Sequence, residues 1–288
     1  MIEKSIVRGA EWKICYFDSG GDGDLVILLH GFPDSPFSFF DLAERLSKIG
    51  YRCIIPYLAG YHDSHDNLAS DIFIHDFVKD LQEIMRYENM ESSIFIGSDW
   101  GAQAGVLFGA LYPKLCEKVI LLGYSKASRD VYNSFDYQRG IFHLLLFQTD
   151  FLENLTTDQS VEFLCDWVKD SAPGLSGDHL IFDSIRRIFR SSNVTKAAIR
   201  HYRTRFRYGE SATLSKAEIA SVFPLRIPVL AVHGNQDRPG RSEAFYSSGT
   251  DSILGPKAKK VTLSECGHFP HLEQPEQCWQ VLRGFICA

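Results

Sequence analysis

Gly97-Ser98-Asp99-Trp100-Gly101 joins the apolar run 93–96 to residues 102–112, a helix-like stretch with small residues near its start. A strand, a five-residue Gly-x-x-x-Gly turn and a helix form a tight elbow that exposes the middle side chain at the end of the strand. The glycines stand two residues either side of it because a Cβ there would block the crossing backbone. This register selects Asp99, since the corresponding positions around Ser98 are Ile96 and Trp100, both bulky. A carboxylate at the tip changes the chemistry available. Attack on an acyl carbon would give an anhydride, whereas displacement at saturated carbon leaves an alkyl ester. Taken alone, the stretch also fits an ordinary turn with aspartate as N-cap.

Outward from the elbow, strand-like and helix-like segments alternate. Residues 12–17, 25–29, 52–56, 93–96 and 118–122 read as strands, with helical apolar spacing over 37–49 and 72–90. Repeated strand–helix units predict an α/β fold with a mostly parallel central sheet flanked by helices. The pattern breaks between 124 and 222, which reads mainly helical, and resumes with strands at 228–232 and 259–263 and a helix at 275–286. We therefore expect core residues 1–123 and 223–288, with 124–222 as a helical lid over the carboxyl edge of the sheet, where open α/β sheets bind ligands.

The chain has 288 residues, 45% of them hydrophobic, enough for a large core, and a net charge of −6. That charge argues against nucleic acid and anionic membranes as partners. No apolar run approaches the roughly 20 residues that span a bilayer, and the start lacks a signal-peptide h-region. The seven cysteines form no C-x-x-C pair and read as reduced core thiols, so a cytoplasmic location is expected. The ten histidines, at 30, 62, 65, 75, 143, 179, 201, 233, 268 and 271, show no metal-ligand spacing, and no cofactor or metal is expected.

Three further segments fall at strand ends. His30-Gly31-Phe32-Pro33 follows the strand 25–29 and can aim the Phe32 N–H at a developing anion beside the Trp100 N–H. Asp237 follows the strand 228–232, and His268, in Gly267-His268-Phe269-Pro270, follows the strand 259–263. Singly these read as a proline-stiffened turn, a turn aspartate and a loop histidine. Together, Asp99, Asp237 and His268 occur in the chain order nucleophile, acid, histidine.

The motifs His30-Gly31-Phe32-Pro33-Asp34, Gly97-Ser98-Asp99-Trp100-Gly101-Ala102 and Gly267-His268-Phe269-Pro270 resemble the α/β-hydrolase superfamily over nearly the whole chain. They are similar to its aspartate-nucleophile branch of epoxide hydrolases and haloalkane or haloacetate dehalogenases. Phe32 resembles the epoxide hydrolases, whereas haloalkane dehalogenases often place asparagine there. Haloacetate dehalogenases usually carry arginines just after the nucleophile, where this chain has Trp100 and Gln103. Two departures stand out. Pro56-Tyr57-Leu58-Ala59-Gly60 replaces the usual Pro-Asp-x-x-Gly, which implies an altered structural hydrogen bond. Of the two lid tyrosines that protonate an epoxide oxygen in the family, Tyr202 matches the second. Alignment on Phe147-Gln148 puts His143 at the first, a feature resembling haloacetate dehalogenases; Tyr132 and Tyr137 are alternative second phenols, and simple lid packing by His143 and Tyr202 is the other reading.

The resemblance implies that a small epoxide, apolar rather than charged, is opened to a diol through an ester on Asp99. His268, oriented by Asp237, would activate the water that hydrolyses it, and Phe32 and Trp100 would hold the oxyanion. Dehalogenation by the same triad is the alternative within the family, and a ligand-binding or regulatory protein on a hydrolase scaffold the alternative outside it. The lid arginines 186, 187, 190, 200, 203, 205 and 207 read as a solvated basic face, with one or two reaching inward to an acidic substrate as the other option. A homodimer is compatible with the sequence.

Overall fold

The computed structural model describes residues 1–8, 12–62, 71–208 and 216–288. Eight strands form one sheet: β1 (Ile2–Arg8), β2 (Trp12–Asp18), β3 (Leu25–Leu29), β4 (Arg52–Pro56), β5 (Ser93–Ser98), β6 (Cys116–Leu122), β7 (Val229–Gly234) and β8 (Lys259–Leu263). Their spatial order is β1-β2-β4-β3-β5-β6-β7-β8. β1 and β2 pair antiparallel, as do β2 and β4, and every pair from β4 to β8 is parallel. Every residue of β3, β5 and β7 is buried, as expected for parallel strands covered on both faces. This is the α/β fold with a mostly parallel, helix-flanked sheet that the alternation predicts.

β1 has no counterpart in the sequence reading. Ile-Glu-Lys-Ser-Ile carries two charges in five residues, and its strand identity comes from partners outside the segment. Lys4 Nζ lies 2.6 Å from Asp18 Oδ2, and Arg52 holds the same carboxylate through two hydrogen bonds of 3.0 and 2.6 Å.

Three helices accompany the first strands: α1 (Phe40–Lys48), preceded by a 3-10 turn at Pro36–Phe39, α2 (Ile74–Tyr87) and α3 (Trp100–Leu111). α2 buries Phe77, Leu81 and Ile84, which lie at helical spacing. Between β6 and β7 the described chain is helical: α4 (Arg129–Tyr132), α5 (Phe135–Gly140), α6 (Phe142–Leu146), α7 (Thr157–Ser171), α8 (Leu180–Phe189), α9 (Ser192–Tyr208) and α10 (Lys216–Val222). Residues 209–215, within the expected lid, and His65 lie outside the described residues. After β7 come α11 (Ser242–Phe245) and α12 (Ser248–Leu254), and after β8 come α13 (Pro270–Glu273) and α14 (Pro275–Ile286). Among the described residues no helix is long and apolar enough to cross a membrane.

The strand order reverses at β3, with β4 on one side and β5 on the other. Such a switch point leaves a crevice beyond the carboxyl ends of the strands. Phe32 follows β3 and Asp99 follows β5, so the sequence-selected residues meet there.

Candidate active site

The elbow is built as its glycines require. Asp99 has φ 50°, a conformation that costs on the order of 1–3 kcal/mol for a residue with a side chain. A Cβ on Gly97 would lie 2.4 Å from the Gly101 carbonyl carbon, and one on Gly101 would lie 2.1 Å from the Leu29 oxygen. Neither position tolerates another residue without moving backbone. Ser98 is fully buried at the end of β5, whereas Asp99 keeps 20% of its side chain accessible. The turn therefore presents the carboxylate and hides the hydroxyl.

Asp99 Oδ1 accepts the Phe32 N–H at 3.0 Å. On the other oxygen, Oδ2 lies 3.6 Å from His268 Nε2, an ion-pair distance too long for a hydrogen bond. Burial raises the Asp99 pKa, but His268 and the N–H groups of Phe32 and Trp100 outweigh it and hold the carboxyl below its usual range. At neutral pH Asp99 is ionised.

Asp237 sits behind His268, both carboxylate oxygens 3.1 Å from Nδ1. The Gly240 N–H, three residues on, donates to Asp237 Oδ1 at 2.7 Å and fixes the carboxylate. The loops carrying Asp237 and His268 are joined through backbone bonds from Asn235 to Leu263 and from Gln236 to Cys266, at 3.0 and 2.8 Å. Burial favours the neutral ring of His268, but the charges of Asp237 and Asp99 prevail and push its pKa up to about 10. The imidazole thus lies between Asp237 and Asp99, whose charges favour its protonated form.

His30 lies beneath this group. Its Nε2 accepts the Leu58 N–H at 3.1 Å, so Nδ1 is the nitrogen that donates to the Gly31 oxygen at 3.0 Å. The unusual Tyr57-Leu58-Ala59 loop therefore remains tied to the Phe32 turn through its backbone.

A cavity of about 80 Å³ opens above Asp99, with room for a small molecule or a few waters. Asp99, Trp100, Gln103 and His268 line it from the sheet side, and Tyr137, His143, Tyr202 and Arg205 from the helices of the 124–222 stretch. His143 and Tyr202 are neighbours, with ring centroids 5.9 Å apart. Burial pushes His143 down to about 3 and Tyr202 well above 10, so both stay neutral and able to donate. His143 Nδ1 is buried with no hydrogen-bond partner among the described residues. Of the alternative phenols, Tyr137 lines the cavity, whereas Tyr132 lies on the surface. Among the basic residues, Arg203 pairs with Glu153 at 2.7 Å and Arg187 lies over the Phe37 ring; Arg205 alone of the seven lines this cavity.

Sequence reasoning missed Glu273. Its carboxylate accepts the N–H groups of Gly267 at 2.8 Å and Phe269 at 3.0 Å, the residues on either side of His268. It also accepts the Gly174 N–H at 3.0 Å, while the His268 N–H donates to the Ser171 oxygen at 2.9 Å. One buried carboxylate thus clamps the His268 loop to the end of α7. Burial raises its pKa, with the three donors opposing that rise. The signal available was an acid four residues after Phe269, where it accepts the N–H that opens α13; without a Ser or Thr cap it did not register. Glu273→Gln replaces one acceptor oxygen by a donor, so at least one of these N–H groups is orphaned. We expect about 2 kcal/mol of lost stability in urea titrations. Any turnover that depends on His268 should fall roughly tenfold in kcat, with KM nearly unchanged.

The family model for the alpha/beta hydrolase fold matches residues 24–275, and the chain belongs to this family. Its curated relatives include Epoxide hydrolase 3 of Siraitia grosvenorii, 25% identical over 303 residues, covering 93% of this chain and 93% of that protein. Epoxide hydrolase 3 of Mus musculus is 23% identical and covers 97% of this chain and 75% of that protein. Among solved structures, Cfl2 from Burkholderia cenocepacia superposes with a TM-score of 0.81 at 21% identity, covering 98% of this chain and 95% of that one. Epoxide hydrolases recur among these relatives, in line with the resemblance that the chain's His-Gly-Phe-Pro motif carries.

Proposed function

We propose that this protein hydrolyses a small epoxide to a diol through an alkyl ester on Asp99. The observation that carries this reading is an ionised carboxylate on a strained elbow, under the Phe32 N–H on one oxygen and beside protonated His268 on the other. Curated epoxide hydrolases among its relatives support it.

In the first step a carboxylate oxygen of Asp99 bonds to an epoxide carbon and the ring C–O bond breaks. The departing oxygen takes a proton from the Tyr202 hydroxyl, with the neutral His143 N–H donating to the same oxygen. The proton that His268 holds in the resting state makes good this loss, leaving the imidazole neutral. In the second step His268 takes a proton from water and the hydroxide adds to the ester carbonyl. The resulting oxyanion lies under the N–H groups of Phe32 and Trp100, each worth about 10²–10³ in rate in comparable sites. As the tetrahedral carbon collapses, its hydroxyl proton passes to the departing alkoxide. Asp99 returns as a carboxylate beside a protonated His268, so atoms and charges balance over the cycle.

A single turnover in ¹⁸O water tests the covalent route. Label is expected in the Asp99 carboxylate, read by peptide mass spectrometry, and absent from the first diol formed. Label entering the diol directly would sink the proposal. His143 favours a second reading, because a neutral N–H donor stabilises a departing halide as well as an alkoxide. A panel of small epoxides and organohalides, scored for diol and for halide, separates the two.

A further inference from the structure

Asp237 faces a second imidazole that the proposed chemistry does not use. His233, near the end of β7, has a fully buried side chain, and its Nδ1 lies 3.6 Å from Asp237 Oδ2. The same oxygen lies 3.1 Å from His268 Nδ1, so two histidine rings share one carboxylate. The His233 ring stacks on Phe245 of α11, with centroids 4.6 Å apart and planes 13° apart, and its Nε2 lies 3.3 Å from Ser242 Oγ. Burial holds the His233 pKa below its usual value, so the ring is neutral near pH 7 and one nitrogen carries the proton. A nitrogen lone pair facing a carboxylate is repelled, whereas an N–H is attracted. Nδ1 therefore carries the proton, and the Ser242 hydroxyl donates to Nε2. At 3.6 Å the contact with Asp237 falls short of a full hydrogen bond, and Nδ1 has no other hydrogen-bond partner. Packing alone does not call for histidine here, because an apolar ring would fill the stack on Phe245 and orphan no buried nitrogen.

We propose that His233 is a positioning residue for His268: its Nδ1–H stabilises the charge of Asp237 and so limits how tightly that carboxylate holds the His268 proton. This role rests on His268 being the base that hydrolyses an ester on Asp99. A base held too firmly by its carboxylate stays protonated and cannot accept a proton from water. A second donor weakens that hold, because negative charge shared between two N–H groups attracts each of them less. Removing the donor raises the His268 pKa, and ester hydrolysis then needs a higher pH. The other ionisable groups around the pair are Glu243 on α11, Lys260 of β8 against the Phe245 ring, Glu273 and His271 on α13, and Asp99 and His143 at the cavity. All of them stay when His233 alone is changed.

The test titrates His268 by NMR of ring-¹⁵N histidine in an Asp99→Ala background, which lacks the charge that esterification removes and needs no substrate. Signals are assigned by their loss in His268→Gln and His233→Asn. His233→Phe keeps the stack and deletes the N–H, and should move the His268 midpoint up by about half a pH unit or more. His233→Asn offers an amide N–H at the place of Nδ1 and should leave the midpoint near that of the parent. An unmoved or lowered midpoint in His233→Phe overturns the proposal, as does an equal rise in both variants, which a merely structural role would give. If His233→Phe does not fold, the parent spectrum decides. A His233 proton on Nδ1 supports the proposal, and one on Nε2 overturns it. With an epoxide that wild type hydrolyses, kcat of His233→Phe should fall about threefold or more at acidic pH and recover at alkaline pH, with KM level. A raised midpoint with no epoxide turned over supports the role of His233 and fails the epoxide reading. Turnover through Asp99 with an unmoved midpoint does the reverse.

Discussion

Asp99→Ala is expected to lower kcat by about 10⁴-fold or more while leaving the protein folded. The loss is large because the carboxylate is the proposed bond-forming atom, and no neighbouring group can take its place. Ser98, the only other nucleophile in the turn, is fully buried. The fold should survive because alanine keeps a Cβ on the same strained backbone and the cavity adjoins solvent-accessible space. A stability change within about 1–2 kcal/mol is the expected scale. Burst-free steady-state assays and circular dichroism on the same preparations make the comparison. A variant retaining turnover within tenfold of wild type would remove Asp99 from the chemistry. Saturable ligand binding unchanged in Asp99→Ala, with no turnover by wild type on any substrate offered, would instead revive the binding-protein reading.

The parts of the site that the sequence made legible are those fixed by local backbone. Asp99, Phe32, Asp237 and His268 each sit just beyond a strand, and a strand's carboxyl end in a parallel sheet is a known place. Finding the strand therefore located the residue. The elbow glycines added a register, because only one spacing lets the backbone cross. Features set by packing between distant segments were harder to read. Helical spacing puts Arg205 on the face of Tyr202 and Arg203 on another, but it does not say which face turns inward; Arg205 lines the cavity, while Arg203 pairs with Glu153. Their difference depends on how α9 rolls against Trp100, which is a tertiary quantity. Glu273 escaped for a related reason, since its partners are backbone N–H groups that every residue but proline owns. β1 escaped because its charges look solvated until Lys4 meets Asp18.

His268→Gln should arrest the enzyme as its alkyl ester, and acid should do the same to wild type. In the proposed mechanism the first step needs an ionised Asp99, whose pKa is held below the usual carboxylate range, so alkylation is expected to persist into mildly acidic solution. The second step needs neutral His268. In the resting protein that ring is held at about 10 by Asp237 and Asp99 together. Esterification removes the charge of Asp99, leaving Asp237 as the one adjacent anion, so the His268 pKa must fall when the ester forms. A resting imidazole too basic to accept a proton from water near pH 7 thereby becomes a base at the stage that requires one. The sign of the pH effect follows: ester hydrolysis slows as pH drops through the His268 pKa of the ester form, while ester formation does not. Glutamine cannot take the proton at any pH, and the second step should slow by about 10²–10⁴-fold. Intact-protein mass spectrometry after mixing with a turned-over epoxide should show one added substrate mass on His268→Gln at neutral pH. Wild type should show it transiently, and increasingly as the solution is acidified. An adduct on the variant that is also absent from Asp99→Ala,His268→Gln places the ester on Asp99. No adduct on the single variant, with a substrate that wild type hydrolyses, would show that His268 does not act in a second, separate step.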